Sequence, residues 1–329
     1  MKVIIPLAGF GTRLRPHTYS RPKPLINVAG KPVLAHLLDK LQGLPISEYL
    51  FITGYLGEQI EEFVRSKYPH TPSYFFEQKV LNGQSTAIYL AKERLSGPVI
   101  VLFVDTIFET DLSFLAATDA EAVAFVKEVP DPRRFGVAAV DGQGIVTRFI
   151  EKPPTAENKL AVIGMYYLRQ AETLVAAIET QIAENRQTKG EFYLADAFQI
   201  MIDRGTRFQV AEVDTWLDAG TADAVLETNR LLLERGSDNS GLLHAEGYVV
   251  IPPVHIAKNA KIVGSVIGPY VTIAENCVIE NSIIRDSIID RDTTVLNALL
   301  TNSLVGRNAY LAGRFHVFNV GDSTSLSYE

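Results

Sequence analysis

The stretch IPLAGFGTRLRPHTYSRPKP, residues 5 to 24, continues an apolar run into two glycines and then four cations, Arg13, Arg15, Arg21 and Lys23, with no carboxylate among them. The first acidic residue of the chain is Asp39, although the whole chain carries a formal charge of −7. A strand that ends in glycines exposes backbone amides to close approach, and cations behind them favour an anion. Pro16, Pro22 and Pro24 stiffen the segment, which lowers the entropy lost when a bound anion orders it. Two familiar phosphate loops fail on spacing. Leu14 occupies the third glycine of a dinucleotide-binding G-x-G-x-x-G, and no G-x-x-x-x-G-K-[ST] is present.

Outward from this loop, up to residue 236, short β-rich runs alternate with helical patterns: KVIIPL, PVLAHLLDKLQGL, YLFITG, LGEQIEEFVRSKY, STAIYLAKERL and PVIVLFV. Such alternation predicts an α/β domain, Rossmann-like, with a mainly parallel mixed sheet. VIVLFV, apolar on both faces, suits the centre of that sheet. A polar, turn-rich linker is expected at residues 237–243. From 244 to 329 helical periodicity disappears and aliphatics recur about every six residues, at Ile256, Ile262, Ile267, Ile273 and Ile279, with five-residue steps near Ile284 and Ile289. Three short strands per coil, each with one inward aliphatic, predict a left-handed parallel β-helix. An antiparallel sandwich is the alternative, but turn pairs such as Asn-Gly are missing from this region.

At 329 residues two domains are the default, and the single cysteine, Cys277, excludes an internal disulfide and a cysteine-cluster metal site. No apolar run is long enough to span a bilayer, and MKVIIPLAGFG breaks too early for a signal peptide, so a cytoplasmic chain beginning at Met1 is expected. An isoelectric point near 5.5 argues against nucleic-acid binding. The basic cluster is therefore local and suits a small phosphorylated ligand.

LAGFGTRLRPHTYSRPKPLINVAGKPVLAHLL resembles the signature of the sugar-phosphate nucleotidyltransferases, AGGxGTRLxPxT followed by PKPLxxVxxKP, and with the β-helix the chain is similar to long-form glucose-1-phosphate thymidylyltransferases. Ala8 stands at the pattern's first glycine, as in the PxAGxGTR loop of uridylyltransferases, which leaves both dTTP and UTP open. The resemblance implies nucleotide contacts at Leu7, Ala8, Gly9, Gly11 and Thr12, with Gln78 and Gly83 of EQKVLNGQSTAIYLA facing the base. It implies sugar contacts at Gly136 and Glu151 in RFGVAAVDGQGIVTRFIEKP and at Val162 in NKLAVIGMYYLR. It assigns Mg²⁺ to Asp105, where Val104 replaces the usual glycine or serine, and to Asp218 of WLDAG. Arg13, Lys23 and Lys152 become the catalytic cations.

The implied reaction joins a sugar 1-phosphate, glucose 1-phosphate favoured, to a nucleoside triphosphate with release of pyrophosphate. The nucleophile is already ionised, because a phosphate monoester loses its second proton near pH 6. No general base is then required, and the task is positioning and charge neutralisation. Residues outside the pattern have plainer readings: Arg15 and Arg21 as solvated loop charges or salt-bridge partners, His17 and His36 as structural, Trp216 as core. Glu191 reads equally as a helix N-terminal charge or a sugar contact. A nucleotide-sugar glycosyltransferase would lack GTRLRP and the PKP lysine. A non-catalytic regulatory relative would have lost part of the cationic set, all of which is present. An added acetyltransferase would need a base in the repeat, where only His255 and His316 lie. An assembly role for the β-helix, giving a homo-oligomer, is preferred to that activity.

Overall fold

A computed structural model describes residues 1–243 and 245–313, which form two compact units. One contains residues 1–26 and 31–225; the other contains residues 27–30 together with residues from 226 onward. His316 lies outside the described residues.

The strands up to residue 218 are β1 (Lys2–Pro6), β2 (Asn27–Val28), β3 (Lys31–Pro32), β4 (Glu48–Thr53), β5 (Ser73–Glu77), β6 (Val99–Leu102), β7 (Thr106–Glu109), β8 (Ala122–Glu128), β9 (Gly136–Val140), β10 (Val146–Glu151), β11 (Leu160–Leu168), β12 (Phe208–Glu212) and β13 (Thr215–Asp218). The helices are α1 (Val33–Leu41), α2 (Gly57–Lys67), α3 (Gln84–Tyr89), α4 (Ala171–Ala183), α5 (Leu194–Asp203) and α6 (Ala222–Leu232). The main sheet runs β10-β9-β11-β6-β1-β4-β5, with β8 pairing β11 and β12. Its first-built half, β6-β1-β4-β5, is parallel, whereas β11 meets β6, β8 and β9 antiparallel.

Strand alternation fills both faces of the sheet. Ile4, Leu50, Ile52, Val99 and Val101 pack with Ile88 of α3, Leu174 and Ile178 of α4 and Phe198 of α5. On the other face Phe51 stacks on Phe75, whose ring also lies under Arg65 of α2, and Tyr68, just after α2, donates its hydroxyl hydrogen to Asp39 of α1. With helices covering both faces, the open ground is at the carboxyl ends of the parallel strands. Leu7 leaves β1 there and Phe103–Asp105 leave β6, at the point where the chain switches from one side of β1 to the other. This is where an α/β sheet binds ligands.

Among the described residues of the second unit, twelve short strands stack into three four-stranded parallel sheets, the architecture of the left-handed β-helix. All seven aliphatics read from the sequence, Ile256 to Ile289, point inward and are buried. Partners in the ladders lie seventeen residues apart at Val254↔Val271 and sixteen at Val271↔Ser287, so the five-residue steps produce the shorter coils. The corners are held by residues in the left-handed region, Asn276, Asn281, Asp286, Asp292, Asn297, Asn302 and Asn308, at steps of five, five and six. Asn and Asp tolerate that region better than other non-glycine residues. One corner is tied by a ladder, in which Asn259 Nδ2 donates to Asn276 Oδ1 at 2.7 Å and Asn276 Nδ2 to Asp292 Oδ1 at 2.8 Å. Cys277 is an interior residue, and burial pushes its thiol up to about 11.

Candidate active site

The glycine loop closes on itself before it reaches any ligand. Gly11 has φ +62°, the Thr18 hydroxyl donates to its carbonyl oxygen at 2.9 Å, and Leu14 N–H reaches the same oxygen at 2.9 Å. A side chain at Gly11 would begin 3.0 Å from Lys23 Cβ, so the absent Cβ is what lets the loop fold back against Lys23. Arg21 is buried and donates its Nε–H to the Leu25 carbonyl, which removes the solvated-charge reading and makes it a brace of the loop. Arg15 remains exposed, its guanidinium 5.0 Å from the Tyr19 ring centre.

Two adjoining cavities meet at this loop. One, of about 280 Å³, is lined by Leu7, Gly9, Gly11, Thr12, Arg13, Lys23 and Asp105, among others. The other, of about 250 Å³, is lined by Arg13, Asp105, Gly136, Glu151, Val162 and Asp218, together with Gln84, Phe103, Arg134 and Trp216. Arg13, Phe103 and Asp105 belong to both. The fold thus brings the loop residues, the three residues expected at the sugar and both aspartates to one junction.

Antiparallel pairing of β13 with β7 makes that junction possible. Asp218 stands opposite Thr106, one residue beyond Asp105, and Ala219 N–H donates to the Asp105 carbonyl oxygen at 2.9 Å. Asp218 Oδ1 accepts the Gly220 N–H at 2.7 Å. A side chain on Gly220 would begin 2.8 Å from that oxygen and 3.3 Å from Arg13 Nη2, so this glycine keeps the guanidinium beside the carboxylate. Lys23 Nζ lies 3.8 Å from Asp105 Oδ2. Burial holds the Lys23 amine below its ordinary value; the Asp105 and Asp218 carboxylates oppose that shift and Arg13 adds to it. Two cations and two carboxylates roughly balance here. Neutralising the carboxylates would leave Arg13 and Lys23 for phosphate oxygens.

Around the second cavity Gly136 gives room to Glu151, because a Cβ there would lie 3.0 Å from Glu151 Oε2 and 3.1 Å from Val162 Cγ2. Burial raises the Glu151 carboxyl above the usual range, and Lys152 and Lys189 counter it. Lys152 itself is exposed, takes φ +48°, and lies outside both linings. A left-handed lysine stores strain, which tends to collect at working sites. Trp216 belongs to the cavity wall rather than the core. Its ring meets Phe135 edge-on at 4.7 Å and its Nε1 is buried with no hydrogen-bond partner among the described residues. The sequence reading missed this because β13 looks like an ordinary apolar strand.

Ala8, Gln78, Gly83 and Glu191 line neither cavity. Ala8 is packed under Gly54, and Gln78 is buried, its Nε2 donating to the Gly83 carbonyl oxygen at 3.1 Å. Gly83 has φ +129°, and a Cβ would fall 2.4 Å from the Phe192 carbonyl oxygen and 2.5 Å from its nitrogen. Backbone strain and a collision with backbone together predict that Gly83→Ala loses on the order of 3 kcal/mol of stability. Gly9→Ala, where an added Cβ meets nothing within 4 Å, should change stability by less than about 0.5 kcal/mol. Urea unfolding midpoints check the pair.

The two aspartates fit a hard divalent cation. Their oxygens are the ligand type Mg²⁺ takes, and among the described residues no group of three or more His, Cys, Asp or Glu gathers to hold a metal. Phosphate and water oxygens would then complete the shell, as is usual for Mg²⁺.

A family model described as Nucleotidyl transferase matches residues 2–235. A glucose-1-phosphate thymidylyltransferase of Streptomyces griseus is 30% identical over 94% of this chain and 92% of its own. The low-salt glycan biosynthesis nucleotidyltransferase Agl11 of Haloferax volcanii is 32% identical over 94% and 93%. Among solved structures, a chain described as a glucose-1-phosphate thymidylyltransferase of Bacillus anthracis, in complex with sucrose, superposes with a TM-score of 0.61 at 26% identity, covering 70% of this chain and 94% of that one.

Proposed function

This chain belongs to the nucleotidyl transferase family, and from that premise we propose that it transfers a nucleotidyl group from dTTP or UTP to glucose 1-phosphate, with Mg²⁺, releasing pyrophosphate. The observation that carries this reading is the pair of cavities sharing Arg13 and Asp105: one floored by the glycine loop and Lys23, the other by Gly136, Glu151 and Val162.

In this reading the triphosphate lies along Leu7, Ala8, Gly9, Gly11 and Thr12, whose backbone admits phosphate oxygens. Gln78 and Gly83 set the edge of the base pocket. Lys23 neutralises the β and γ phosphates, Arg13 the α-phosphate, and Lys152 the sugar phosphate. Glu151 accepts hydrogen bonds from sugar hydroxyls, while Gly136 and Val162 shape the space around the ring. Asp105 and Asp218 would hold the Mg²⁺, which supplies charge neutralisation of the phosphates when bound. Attack by the sugar phosphate oxygen on the α-phosphorus then proceeds because two anions are held in line in one cationic corner.

Two arms test this. Pyrophosphate release is measured with five nucleoside triphosphates against the 1-phosphates of glucose, galactose, mannose and N-acetylglucosamine, with and without Mg²⁺. The dTTP or UTP pair with glucose 1-phosphate should be fastest, and no release above a Lys23→Ala control would end the reading. Glu151→Gln should raise KM for the sugar 1-phosphate about tenfold, the worth of one hydrogen bond to a charged group, and leave KM for the triphosphate unchanged. Because burial raises the folded-state pKa of Glu151, its ionisation opposes folding. Relative to Glu151→Gln, wild-type stability should therefore fall as pH rises from the ordinary carboxylate value through the raised one.

The family resemblance and the repeat architecture support a homo-oligomer assembled through the β-helix, in a cytoplasmic setting. No helix among the described residues is long and apolar enough to cross a membrane. An acyl-transfer role gains nothing from His255, whose Nδ1 is 3.0 Å from the Ser237 carbonyl oxygen and whose ring packs over Gly30.

A further inference from the structure

Residues 27–30 pack with the β-helix unit although the chain on either side, up to Ile26 and from Lys31, belongs to the catalytic unit. They directly follow the loop that carries Lys23. Ala29 is buried with φ +47°, and its N–H donates to Asn229 Oδ1 at 2.9 Å. The same oxygen accepts the Thr272 hydroxyl at 2.6 Å, and Asn229 Nδ2 donates to the Tyr270 carbonyl oxygen at 3.2 Å. Asn229 is only 1% exposed. Both ends of its amide are thus committed, one to two donors and one to the β-helix backbone. Gly30 follows at φ +92° beneath His255, where a side chain would begin 2.2 Å from the imidazole Nε2.

A buried backbone N–H in a left-handed residue needs an acceptor, and Asn229 supplies it. Between Lys23 and this anchor the backbone is tied at three points. Leu25 N–H reaches the Pro22 carbonyl at 2.9 Å, Ile26 N–H reaches that of Lys23 at 3.1 Å, and Val33 N–H reaches that of Ile26 at 3.1 Å. We propose that Asn229 is a positioning residue: by fixing Ala29 onto Thr272 and Tyr270 of the β-helix, it fixes the segment whose upstream end carries Lys23. The β-helix then serves catalysis through the covalent chain, without touching substrate.

Hydrogen exchange read by mass spectrometry on the full chain tests this independently of any activity. In Asn229→Ala, peptides covering residues 11–28 should exchange about tenfold faster, the effect of losing the one hydrogen bond that Asn229 accepts from Ala29, while peptides over 48–53 stay at wild-type rates. Thr272→Val, which removes only the hydroxyl that orients the amide and is close to isosteric, should give about a threefold increase in the same peptides. The kinetic arm rests on the proposed function: with dTTP or UTP and glucose 1-phosphate, kcat should fall about tenfold in Asn229→Ala with KM for the sugar phosphate unchanged. Unchanged exchange over 11–28 in both variants, or an equal rise over 48–53, overturns the inference. If the wild type releases no pyrophosphate from either pair, the functional reading fails while the exchange result still decides the positioning role.

Discussion

Arg13→Ala is expected to lower pyrophosphate release about 100- to 1,000-fold, by analogy with loss of one preorganised donor to a developing negative charge. The guanidinium lies beside Gly220 and the Asp218 carboxylate, and Arg13 alone among the three proposed catalytic cations lines both cavities. Its removal should depress kcat far more than it raises KM, because charge on the α-phosphate grows only as the new bond forms. Arg13→Lys keeps the charge but loses the planar fork, and should recover only part of the rate. A drop confined to KM would place Arg13 in ground-state binding alone.

The second large effect concerns the two aspartates. Asp105→Asn and Asp218→Asn should each weaken binding of Mn²⁺, used as a spectroscopic stand-in for Mg²⁺, about 10- to 100-fold in the presence of a nucleoside triphosphate, with a matching loss of rate at fixed metal. Electron paramagnetic resonance of free Mn²⁺ reads the first quantity without turnover. The rival account is that Asp105 serves only as the counter-ion of Lys23, 3.8 Å away. On that account Asp105→Asn would leave Mn²⁺ affinity untouched, whereas metal ligation predicts that both variants lose it and that the double variant loses more than either.

The aliphatic register was readable because every side of a coil from Ile256 to Ile289 supplies one of the seven inward isoleucines, and on one side Val254 and Val271 add a second inward residue. The corner residues carried a second signal, Asn and Asp at steps of five, five and six from Asn276 to Asn308, which the aliphatic count overlooked. In the catalytic unit the glycine loop announced itself through local chemistry: two glycines, cations and prolines within twenty residues. The cavity wall did not. Trp216, Gln84, Phe103 and Arg134 come together only through the β13 pairing with β7 and the antiparallel entry of β11 beside β6. Contacts of that kind depend on which strands become neighbours, and an apolar run carries no mark of its partner. Arg21 shows the converse: a basic residue in a basic loop reads as solvent-facing, yet it is buried against a backbone carbonyl.

The ladder of coils has an evolutionary corollary. Each coil of sixteen or seventeen residues leans only on the next, so lengthening or shortening the stack by one whole coil near its far end exchanges like for like. Descendants can therefore vary the length of the stack by duplication or deletion of a single segment, while Asn229 of α6, tied to Thr272 and Tyr270 in the first coils, keeps its grip on residue 29.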